Sequence, residues 1–341
     1  MNKSSSSRKR PPQPISVTVA GTGGYVPSKV LSNQDLERMV ETSDEWILTR
    51  TGIRERRIAG DEELSSDMGA AAAREALREA EVHPAEVDLI VVATTTPDHT
   101  FPATAAYIQQ KIGATNAACY DIMAACAGFL VGLIQASHFL ATGSYRNILV
   151  IGAEKLSAIT NWEDRNTCVL FGDGAGAALL QPREAGQPGG LLAFDMGTDG
   201  AQTDILLKPG GGCAIPLSEE VLTQHLDTIV MSGKEVYRHA VTAMNRSAEK
   251  TLAIAGLTGE DIAWVIPHQA NLRIINAVAE RLGLPMDRFL LNLEHYGNTS
   301  AACIPLALAT ARREGRLQPG DKLLMVAFGS GLTWASLVLE W

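Results

Sequence analysis

The sequence predicts a duplicated α/β fold in which helices pack in layers against sheets, and three observations support this class. Short apolar runs with the character of buried strands alternate with helical segments, which is typical of layered α/β proteins. The order of segments in the first half recurs in the second half, where Val265 lies 175 residues after Ile90. Corresponding helices also end at a glycine, a common residue just past a helix C-terminus. A period of half the chain indicates a duplicated domain and not a solenoid.

The first half begins after residues 1–14, where a serine run, the basic cluster Arg-Lys-Arg and three prolines predict a disordered tail. No apolar segment follows the basic cluster, so a secretion signal is not expected. A strand is predicted from about Ile15, with the glycine-rich segment 20–24 as its turn. The other elements predicted for this half are a helix over residues 70–80, a buried strand over 89–92, a helix over 108–113, a strand over 118–122, a helix from 127 to about 142 and a central strand over 147–150.

The second half repeats this plan. Its predicted elements are a helix over residues 247–255, a strand over 263–266, a helix over 277–283 and a central strand over 322–325. We place the boundary near residues 180–195, which gives a first domain over 15–185 and a second over 186–341. Residues 209–212, Pro-Gly-Gly-Gly, are predicted to form a flexible loop. Because α/β sheets bind ligands at their strand ends, matching loops of the two halves are expected to meet at one site.

Composition limits the function classes. With 46% hydrophobic and 20% charged residues in 341, the chain has the composition of an ordinary α/β enzyme. The net charge of −9 argues against nucleic-acid binding, and no apolar run reaches the ~18–20 residues that a membrane-spanning helix needs. The five cysteines include no Cys-x-x-Cys pair, so neither a metal site nor a disulfide framework is supported. A reducing, cytoplasmic location is therefore expected.

Cys126 is the first candidate catalytic residue. It lies in the run 123–129, Met-Ala-Ala-Cys-Ala-Gly-Phe, between a predicted strand and a predicted helix. A thiol at the start of a helix is expected to have a lowered pKa, which favours its action as a nucleophile. Small neighbours would let a substrate carbonyl approach it. The alternative is a packing role, because cysteine is among the most buried residue types.

Two polar residues of the second half lie in loops that correspond to loops of the first half. His268 lies in Pro-His-Gln-Ala-Asn after a predicted strand, and Asn298 lies in Gly-Asn-Thr-Ser before a predicted helix. Imidazole and amide N–H groups can both donate hydrogen bonds to a developing oxyanion. Each residue also has a structural alternative, since His268 could be a hydrogen-bonded core histidine and Asn298 a helix N-cap.

Together these motifs resemble those of the β-ketoacyl-acyl-carrier-protein synthase III family. Two further segments carry the resemblance, Glu-Thr-Ser-Asp-Glu-Trp-Ile at 41–47, which runs on into 50–56, and Ala-Phe-Gly-Ser-Gly-Leu-Thr-Trp at 327–334. The similarity extends in register from about Val17 to Trp341. It implies the thiolase fold, a duplicated five-layer α/β/α/β/α sandwich, which agrees with the repeated halves.

The resemblance implies a two-stage Claisen condensation that needs no cofactor and no metal. Cys126 would take the acyl group of an acyl-CoA, with acetyl-CoA as the expected primer. Malonyl-acyl-carrier protein would then lose carbon dioxide, and its carbanion would attack the acyl-enzyme. His268 and Asn298 would bind the oxyanion that forms on decarboxylation. The backbone N–H groups of Cys126 and Ser330 would form a second oxyanion hole for acylation.

The resemblance also implies substrate-binding residues and a homodimer. The expected CoA-binding residues are Trp46, Arg50, Arg165 and Asn271. The residues expected to dock acyl carrier protein are Arg273, Arg238, Arg281 and Gln269. The acyl pocket is expected to contain Phe101, Leu156, Phe171 and Phe328, with Phe101 reaching the partner's pocket. Roles in the core or on a solvated helix face are the alternatives for these residues.

Three other function classes remain open from the sequence. A thiolase-fold condensing enzyme of secondary metabolism would use longer or branched acyl groups, and pocket size would distinguish it. A nucleotide-binding oxidoreductase is suggested by Gly21-x-Gly23-Gly24, although Pro27 interrupts the helix that should bind the pyrophosphate. A non-catalytic binding module predicts that Cys126 can be replaced without consequence.

Overall fold

The computed structural model describes residues 14–183 and 189–341, so all of the predicted tail except Pro14 lies outside the described residues. Its strands are β1 (Val17–Tyr25), β2 (Lys29–Ser32), β3 (Glu55–Ile58), β4 (Leu89–Ala93), β5 (Ala118–Ile122), β6 (Ile148–Glu154), β7 (Gly174–Pro182), β8 (Gly190–Thr198), β9 (Leu206–Leu207), β10 (Val230–Met231), β11 (Trp264–Pro267), β12 (Lys322–Gly329) and β13 (Thr333–Glu340). Its α-helices are α1 (Asn33–Leu36), α2 (Asp44–Thr51), α3 (Ser65–Glu79), α4 (Thr104–Ile112), α5 (Gly128–Ala141), α6 (Arg165–Cys168), α7 (Glu219–Thr223), α8 (Gly233–Ala255), α9 (Leu272–Leu282), α10 (Leu293–Tyr296) and α11 (Cys303–Arg313).

Two sheets share one topology, which confirms the duplication. The first has the strand order β1-β7-β6-β4-β5 and the second the order β8-β13-β12-β11. In each, a parallel pair, β6 with β4 or β12 with β11, is followed outward by two antiparallel pairings. A parallel bridge between Val265 and Phe289 occupies the place that β5 has in the first sheet. The strands matched in the sequence are therefore structural equivalents.

The two sheets separate three helical layers. Helices α3 and α4 cover the outer face of the first sheet, α5 and α11 lie between the sheets, and α8 and α9 cover the second sheet. Because both sheets contact α5, most of its side chains are apolar, and Phe129, Leu130 and Leu133 are buried. This is the five-layer α/β/α/β/α sandwich of the thiolase fold.

Helix ends agree with the sequence, and one turn does not. The predicted terminal glycines Gly113 and Gly283 are left-handed C-caps of α4 and α9, with φ of 77° and 66°. The glycine-rich segment 20–24, predicted as a turn, lies inside β1. A side chain at Gly21 would lie 2.1 Å from the Ala76 carbonyl oxygen of α3. The turn prediction is wrong because these glycines let a strand pack directly on a helix, which also removes the phosphate loop of the oxidoreductase alternative.

The segment between the halves joins β7 to β8, and residues 184–188 of it lie outside the described part of the chain. The start of the first half nevertheless contacts the second half. Backbone hydrogen bonds of 2.9 and 3.0 Å join Ile15 to Leu191. The two halves thus pack as neighbours through the helices between the sheets and through this bridge.

Two matching tight turns position the candidate site. The 3₁₀ turns Ala125–Ala127 and Ser300–Ala302 come directly before the central helices α5 and α11. Their first residues, Ala125 and Ser300, have left-handed backbones with φ of 45° and 47°. Non-glycine residues rarely adopt this conformation, and it is found disproportionately at functional sites. The duplication therefore places a sharp strand-to-helix turn in each half at the junction of the two.

Candidate active site

A cavity of about 1210 Å³ opens at this junction and is lined by both halves. Cys126, His268 and Asn298 all contribute to its wall, so the structure brings the three predicted residues together. His268 and Asn298 are buried, whereas Cys126 is partly exposed to the cavity. This arrangement removes the simple packing alternative for Cys126.

Cys126 lies in the tight turn between β5 and α5. The close packing of this turn depends on Gly128, where a side chain would lie 2.8 Å from the Ala93 Cβ of β4. Because the cavity is deep, burial raises the pKa of the Cys126 thiol to about 12, and the nearby charge of Glu154 adds to the increase. The predicted lowering of this pKa is therefore wrong, because desolvation by burial is the largest influence on the thiol and raises its pKa.

His268 follows β11 and is held rigidly. Its backbone N–H donates to the Val326 carbonyl oxygen at 2.7 Å, which continues the pairing of β11 with β12. Burial lowers the pKa of the imidazole to about 4, so the ring is neutral at physiological pH. Its Nδ1 atom lies 3.1 Å from the sulfur of Cys303. Burial therefore favours a neutral Cys126 thiol and a neutral His268 imidazole over an ion pair.

Asn298 is fixed by the backbone of the loop that precedes β7. Its N–H donates to the Leu170 carbonyl oxygen at 2.8 Å, and its carbonyl oxygen accepts from Gly172 at 3.1 Å. The side-chain oxygen accepts the Ser300 N–H at 2.9 Å. This turn bond uses the oxygen of the amide and directs its nitrogen, a donor, away from the turn. Asn298 is not the helix N-cap that was the alternative for it, because Thr299 precedes the 3₁₀ turn and Ala302 precedes α11. Asn298 also lines the cavity.

The end of β12 lies directly against Cys126. A side chain at Gly329 would lie 2.6 Å from the Cys126 backbone nitrogen, so only glycine permits this approach. Ser330 follows in the cavity wall, and its hydroxyl donates to the Leu206 carbonyl oxygen at 2.5 Å. With the side chain used for this contact, the backbone N–H is the group that Ser330 can offer a substrate.

The three predicted apolar residues Leu156, Phe171 and Phe328 line the cavity. Phe101 does not, because it lies on the surface with 83% of its area exposed. Its position outside the cavity of its own chain is compatible with the predicted contact to the acyl pocket of a partner. A phenylalanine exposed to this extent is uncommon, and exposed apolar side chains of this kind mark interaction surfaces.

The predicted CoA-binding residues surround Trp46. The guanidinium groups of Arg50 and Arg165 lie 4.7 and 5.0 Å from the centre of its ring, and Arg165 also donates to the Glu41 carbonyl oxygen. Asn271 lines the cavity, and its side chain caps α9 by accepting the Arg273 N–H at 2.9 Å. The aromatic surface of Trp46 is thus already stacked with cations in the free chain.

The four residues predicted to dock acyl carrier protein fall into three groups. Arg273 lines the cavity and stacks on Tyr237 at 5.6 Å. Arg238 and Arg281 are exposed and form surface ion pairs with neighbouring glutamates, outside the cavity wall. Gln269 is fully buried, so its predicted contact with a carrier protein is wrong. Its amide instead bonds the backbone around residues 267 and 290–293.

Four residues near the site were missed by the sequence analysis. Lys208 and Lys234 add two cations to the cavity wall, and nothing in their local sequence marks them. Glu154 is a buried carboxylate that accepts hydrogen bonds from Thr94, Thr95 and Thr96, and burial raises its pKa. Cys303 lies behind His268. Glu154 could have been found from the sequence, because it is a charged residue at the end of the otherwise apolar strand β6.

Within residues 14–183 and 189–341, no group of three or more histidine, cysteine or acidic residues is placed to hold a metal ion. No helix of this part of the chain combines the length and hydropathy needed to cross a membrane. The cysteines at positions 119, 126, 168, 213 and 303 are all free thiols.

The fold and the site define a class, the thiolase-fold condensing enzymes with a cysteine, a histidine and an asparagine at the junction of two halves. Residues 120–200 match the family model of 3-oxoacyl-[acyl-carrier-protein] synthase III, and residues 252–341 match the model of its C-terminal part. The chain belongs to the β-ketoacyl-acyl-carrier-protein synthase III family and is an acyltransferase.

Individual relatives support this assignment. The chain is 52% identical over 327 residues to β-ketoacyl-[acyl-carrier-protein] synthase III of Desulfitobacterium hafniense, covering 96% of this chain and 98% of the relative. It is similar in structure to 3-oxoacyl-[acyl-carrier-protein] synthase III of Aquifex aeolicus, with a TM-score of 0.88, 46% identity, and coverage of 95% and 100%. The priming β-ketosynthase of the R1128 polyketide pathway has a TM-score of 0.88, 38% identity and 98% coverage of both chains. The identities favour the fatty acid enzyme over the secondary-metabolism alternative.

Proposed function

We propose that this chain initiates fatty acid synthesis by condensing an acyl-CoA primer, acetyl-CoA, with malonyl-acyl-carrier protein. The products are 3-oxoacyl-acyl-carrier protein, carbon dioxide and CoA. The observation that carries the proposal is the meeting of Cys126, His268 and Asn298 in one cavity between the duplicated halves. The reaction needs no metal or prosthetic group, because both substrates are thioesters whose carbonyl groups activate the carbon that reacts.

In the first stage the Cys126 sulfur attacks the thioester carbon of the acyl-CoA. The carbon–sulfur bond to CoA then breaks, and the thiol proton leaves with CoA, which is released as a thiol. The negative charge that develops on the carbonyl oxygen needs donors close to Cys126. The backbone N–H groups of Cys126 and Ser330 are the donors that we propose, and the close approach of Gly329 to the Cys126 backbone nitrogen supports this choice.

In the second stage the malonyl thioester loses carbon dioxide, and the resulting enolate attacks the acyl carbon on Cys126. The bond to Cys126 breaks, and the released thiolate takes up a proton. His268 and the Asn298 amide donate hydrogen bonds to the enolate oxygen. Each of these hydrogen bonds lowers the free-energy barrier to decarboxylation by about 3–4 kcal/mol. Because its pKa is about 4, His268 donates as a neutral imidazole and does not titrate in the physiological range.

The substrate contacts extend this proposal outward from the cavity. Trp46, Arg50, Arg165 and Asn271 bind CoA, and Leu156, Phe171 and Phe328 contact the acyl group. Arg273 is the docking residue that we favour for the acidic carrier protein, because it lines the cavity and the other two arginines predicted for docking, Arg238 and Arg281, do not. Arg238 and Arg281, each in a surface ion pair, contribute less.

We also propose a homodimer in a reducing, cytoplasmic setting. Phe101 supports the dimer, since its exposed ring is available to enter the acyl pocket of a second copy. The five free thiols support the reducing location. Sedimentation of the purified chain, alone and with Phe101→Asp, tests the dimer, and a monomeric wild type would contradict it.

The decisive experiment follows acyl transfer and decarboxylation separately. The protein is incubated with labelled acetyl-CoA and digested, and the acyl adduct is located by mass spectrometry. We expect the adduct on Cys126 and its transfer to malonyl-acyl-carrier protein. A Cys126→Ala variant that is still acylated at the site would contradict the mechanism, and a preference for long or branched acyl-CoA would favour the secondary-metabolism alternative.

The two stages are separated by a matched pair of variants. Asn298→Ala is expected to keep acylation and to slow the decarboxylation of malonyl-acyl-carrier protein by about a hundredfold or more. Asn116→Ala, at an exposed asparagine outside the cavity wall, is the control. Unchanged decarboxylation in Asn298→Ala would refute the role of Asn298.

A further inference from the structure

Cys303 is a buried thiol that the proposed reaction does not use. It is the first residue of α11, has no exposed surface, and is not part of the cavity wall. It therefore cannot accept an acyl group as Cys126 does. Its sulfur nevertheless lies 3.1 Å from Nδ1 of His268, on the side of the ring that faces the protein interior.

The contact matters because a neutral imidazole has one donor nitrogen and one acceptor nitrogen. Which nitrogen carries the proton is set by the hydrogen bond that the other nitrogen makes. His268 is 4% exposed and neutral, and its role under the proposed function requires a proton on the nitrogen that faces the cavity. With Nδ1 held by Cys303, that nitrogen is Nε2.

The other hydrogen bond of the Cys303 sulfur favours one direction for this contact. The Gln269 backbone N–H donates to the sulfur at 3.4 Å, so the sulfur already acts as an acceptor. The S–H proton is then free to be donated, and Nδ1 of His268 is an acceptor within reach of it. Burial raises the pKa of the Cys303 thiol, which keeps this proton on sulfur.

The thiol is held in place by a buried polar network. The Asn292 side-chain nitrogen donates to the Cys303 carbonyl oxygen at 3.0 Å. The Gln269 amide donates to the carbonyl oxygens of Pro267 and Leu290 at 3.2 and 3.0 Å, and it accepts the Asn292 N–H. Gln269, which was expected on a docking surface, thus holds in place the backbone of residues 268 and 269. This segment carries His268 and the Gln269 N–H that donates to the Cys303 sulfur.

We propose that Cys303 is a positioning residue that donates its thiol proton to Nδ1 of His268 and so fixes the tautomer that presents Nε2–H to the cavity. This inference rests on the proposed function for the consequence in catalysis. The tautomer itself is a property of the free protein. The proposed tautomer and the proposed function can therefore be refuted independently of each other.

The direct test is nitrogen NMR of protein labelled at histidine. The signals of His268, identified among those of the seven histidines by their loss in His268→Gln, report which ring nitrogen carries the proton. We expect Nε2–H in the wild type. A wild-type spectrum with the proton on Nδ1 overturns the proposal, whether or not any variant folds and whether or not the chain condenses thioesters.

Variants then test the donor. Cys303→Ala removes it, and we expect a mixture of tautomers and a fall of about ten- to a hundredfold in malonyl-acyl-carrier-protein decarboxylation, with acylation of Cys126 retained. Cys303→Ser keeps an O–H donor and is expected to restore the tautomer and most of the rate. The control is Cys168→Ala, at another fully buried cysteine. An unchanged His268 spectrum in Cys303→Ala, or an equal loss of rate in Cys168→Ala, refutes the positioning role.

Discussion

The raised pKa of Cys126 makes a quantitative prediction for its reaction with a small alkylating agent. At a pKa of about 12, against 9.0 for an ordinary thiol, the thiolate fraction at pH 8 is lower by a factor of about a thousand. A thiolate of higher pKa is intrinsically more nucleophilic, and three pKa units recover about fifteen- to thirtyfold. The net expectation is that Cys126 reacts about thirty- to sixtyfold more slowly than a free cysteine at pH 8.

The assay is alkylation by iodoacetamide, with the site read by mass spectrometry and N-acetylcysteine as the reference thiol. Below the pKa, the rate at Cys126 is expected to rise about tenfold per pH unit from pH 7 to pH 10, without a plateau. The exposed Cys213 reports that the reagent is active, and Cys126→Ala confirms the assignment. The buried Cys303 is expected to remain unmodified in the folded protein.

A plateau below pH 8 would refute the reasoning, as would a rate at pH 7 above that of the reference thiol. Either result would mean that the helix end or His268 ionises the thiol in the free protein. The expected result instead implies that the thiol loses its proton during the reaction with the acyl-CoA. Acylation would then depend on donors that stabilise the carbonyl oxygen more than on a preformed thiolate.

Three further predictions follow from the same geometry. Gly329→Ala places a methyl group 2.6 Å from the Cys126 backbone nitrogen and is expected to slow acylation about tenfold or more. Ser330→Ala keeps the backbone N–H, so its acylation rate should stay within about threefold of the wild-type rate. Equal losses of acylation rate in the two variants, measured in quenched time courses, would argue against the backbone oxyanion hole. Decarboxylation should show no acid limb near pH 6.5, because the pKa of His268 is about 4, and a limb there that disappears in His268→Gln would contradict this. Leu308→Ala, at a fully buried position of α11, should lower the free energy of unfolding by about 2–5 kcal/mol in urea titrations. A loss under about 1 kcal/mol would show that the central layer relaxes into the space that the leucine side chain leaves.

Much of the fold was predictable because the pattern of buried strands and helix-ending glycines depends on local sequence. The match of Ile90 to Val265 located equivalent strands of two sheets, and Gly113 and Gly283 marked helix ends as expected. The glycines of β1 were misassigned because their purpose is close contact with α3, a partner that is distant in sequence. Local sequence patterns predict whether a segment is a strand or a helix, but they do not predict which distant segment packs against it.

The site was predictable in its residue types and less so in its electrostatics. A motif identified Cys126, His268 and Asn298, but the raised pKa of Cys126 depends on the depth of the cavity, which no local pattern encodes. The same limit explains Gln269, since a polar side chain beside an active-site histidine suits a docking surface and a buried network equally well in sequence. The structure decides between them because every polar atom of a buried amide needs a partner, and the backbone around Leu290 provides it.

The duplication also explains why one site can perform two unlike steps. Each half has a tight turn with a left-handed first residue before its central helix, and Ala301 is the counterpart of Cys126, 175 residues later. Under the proposed function the turn of the first half presents the nucleophile, whereas in the second half the Ser300 backbone N–H fixes the Asn298 amide. Because Cys126 and Asn298 rest on different turns, substitutions in the turn formed by residues 298–300 should impair decarboxylation and spare acylation.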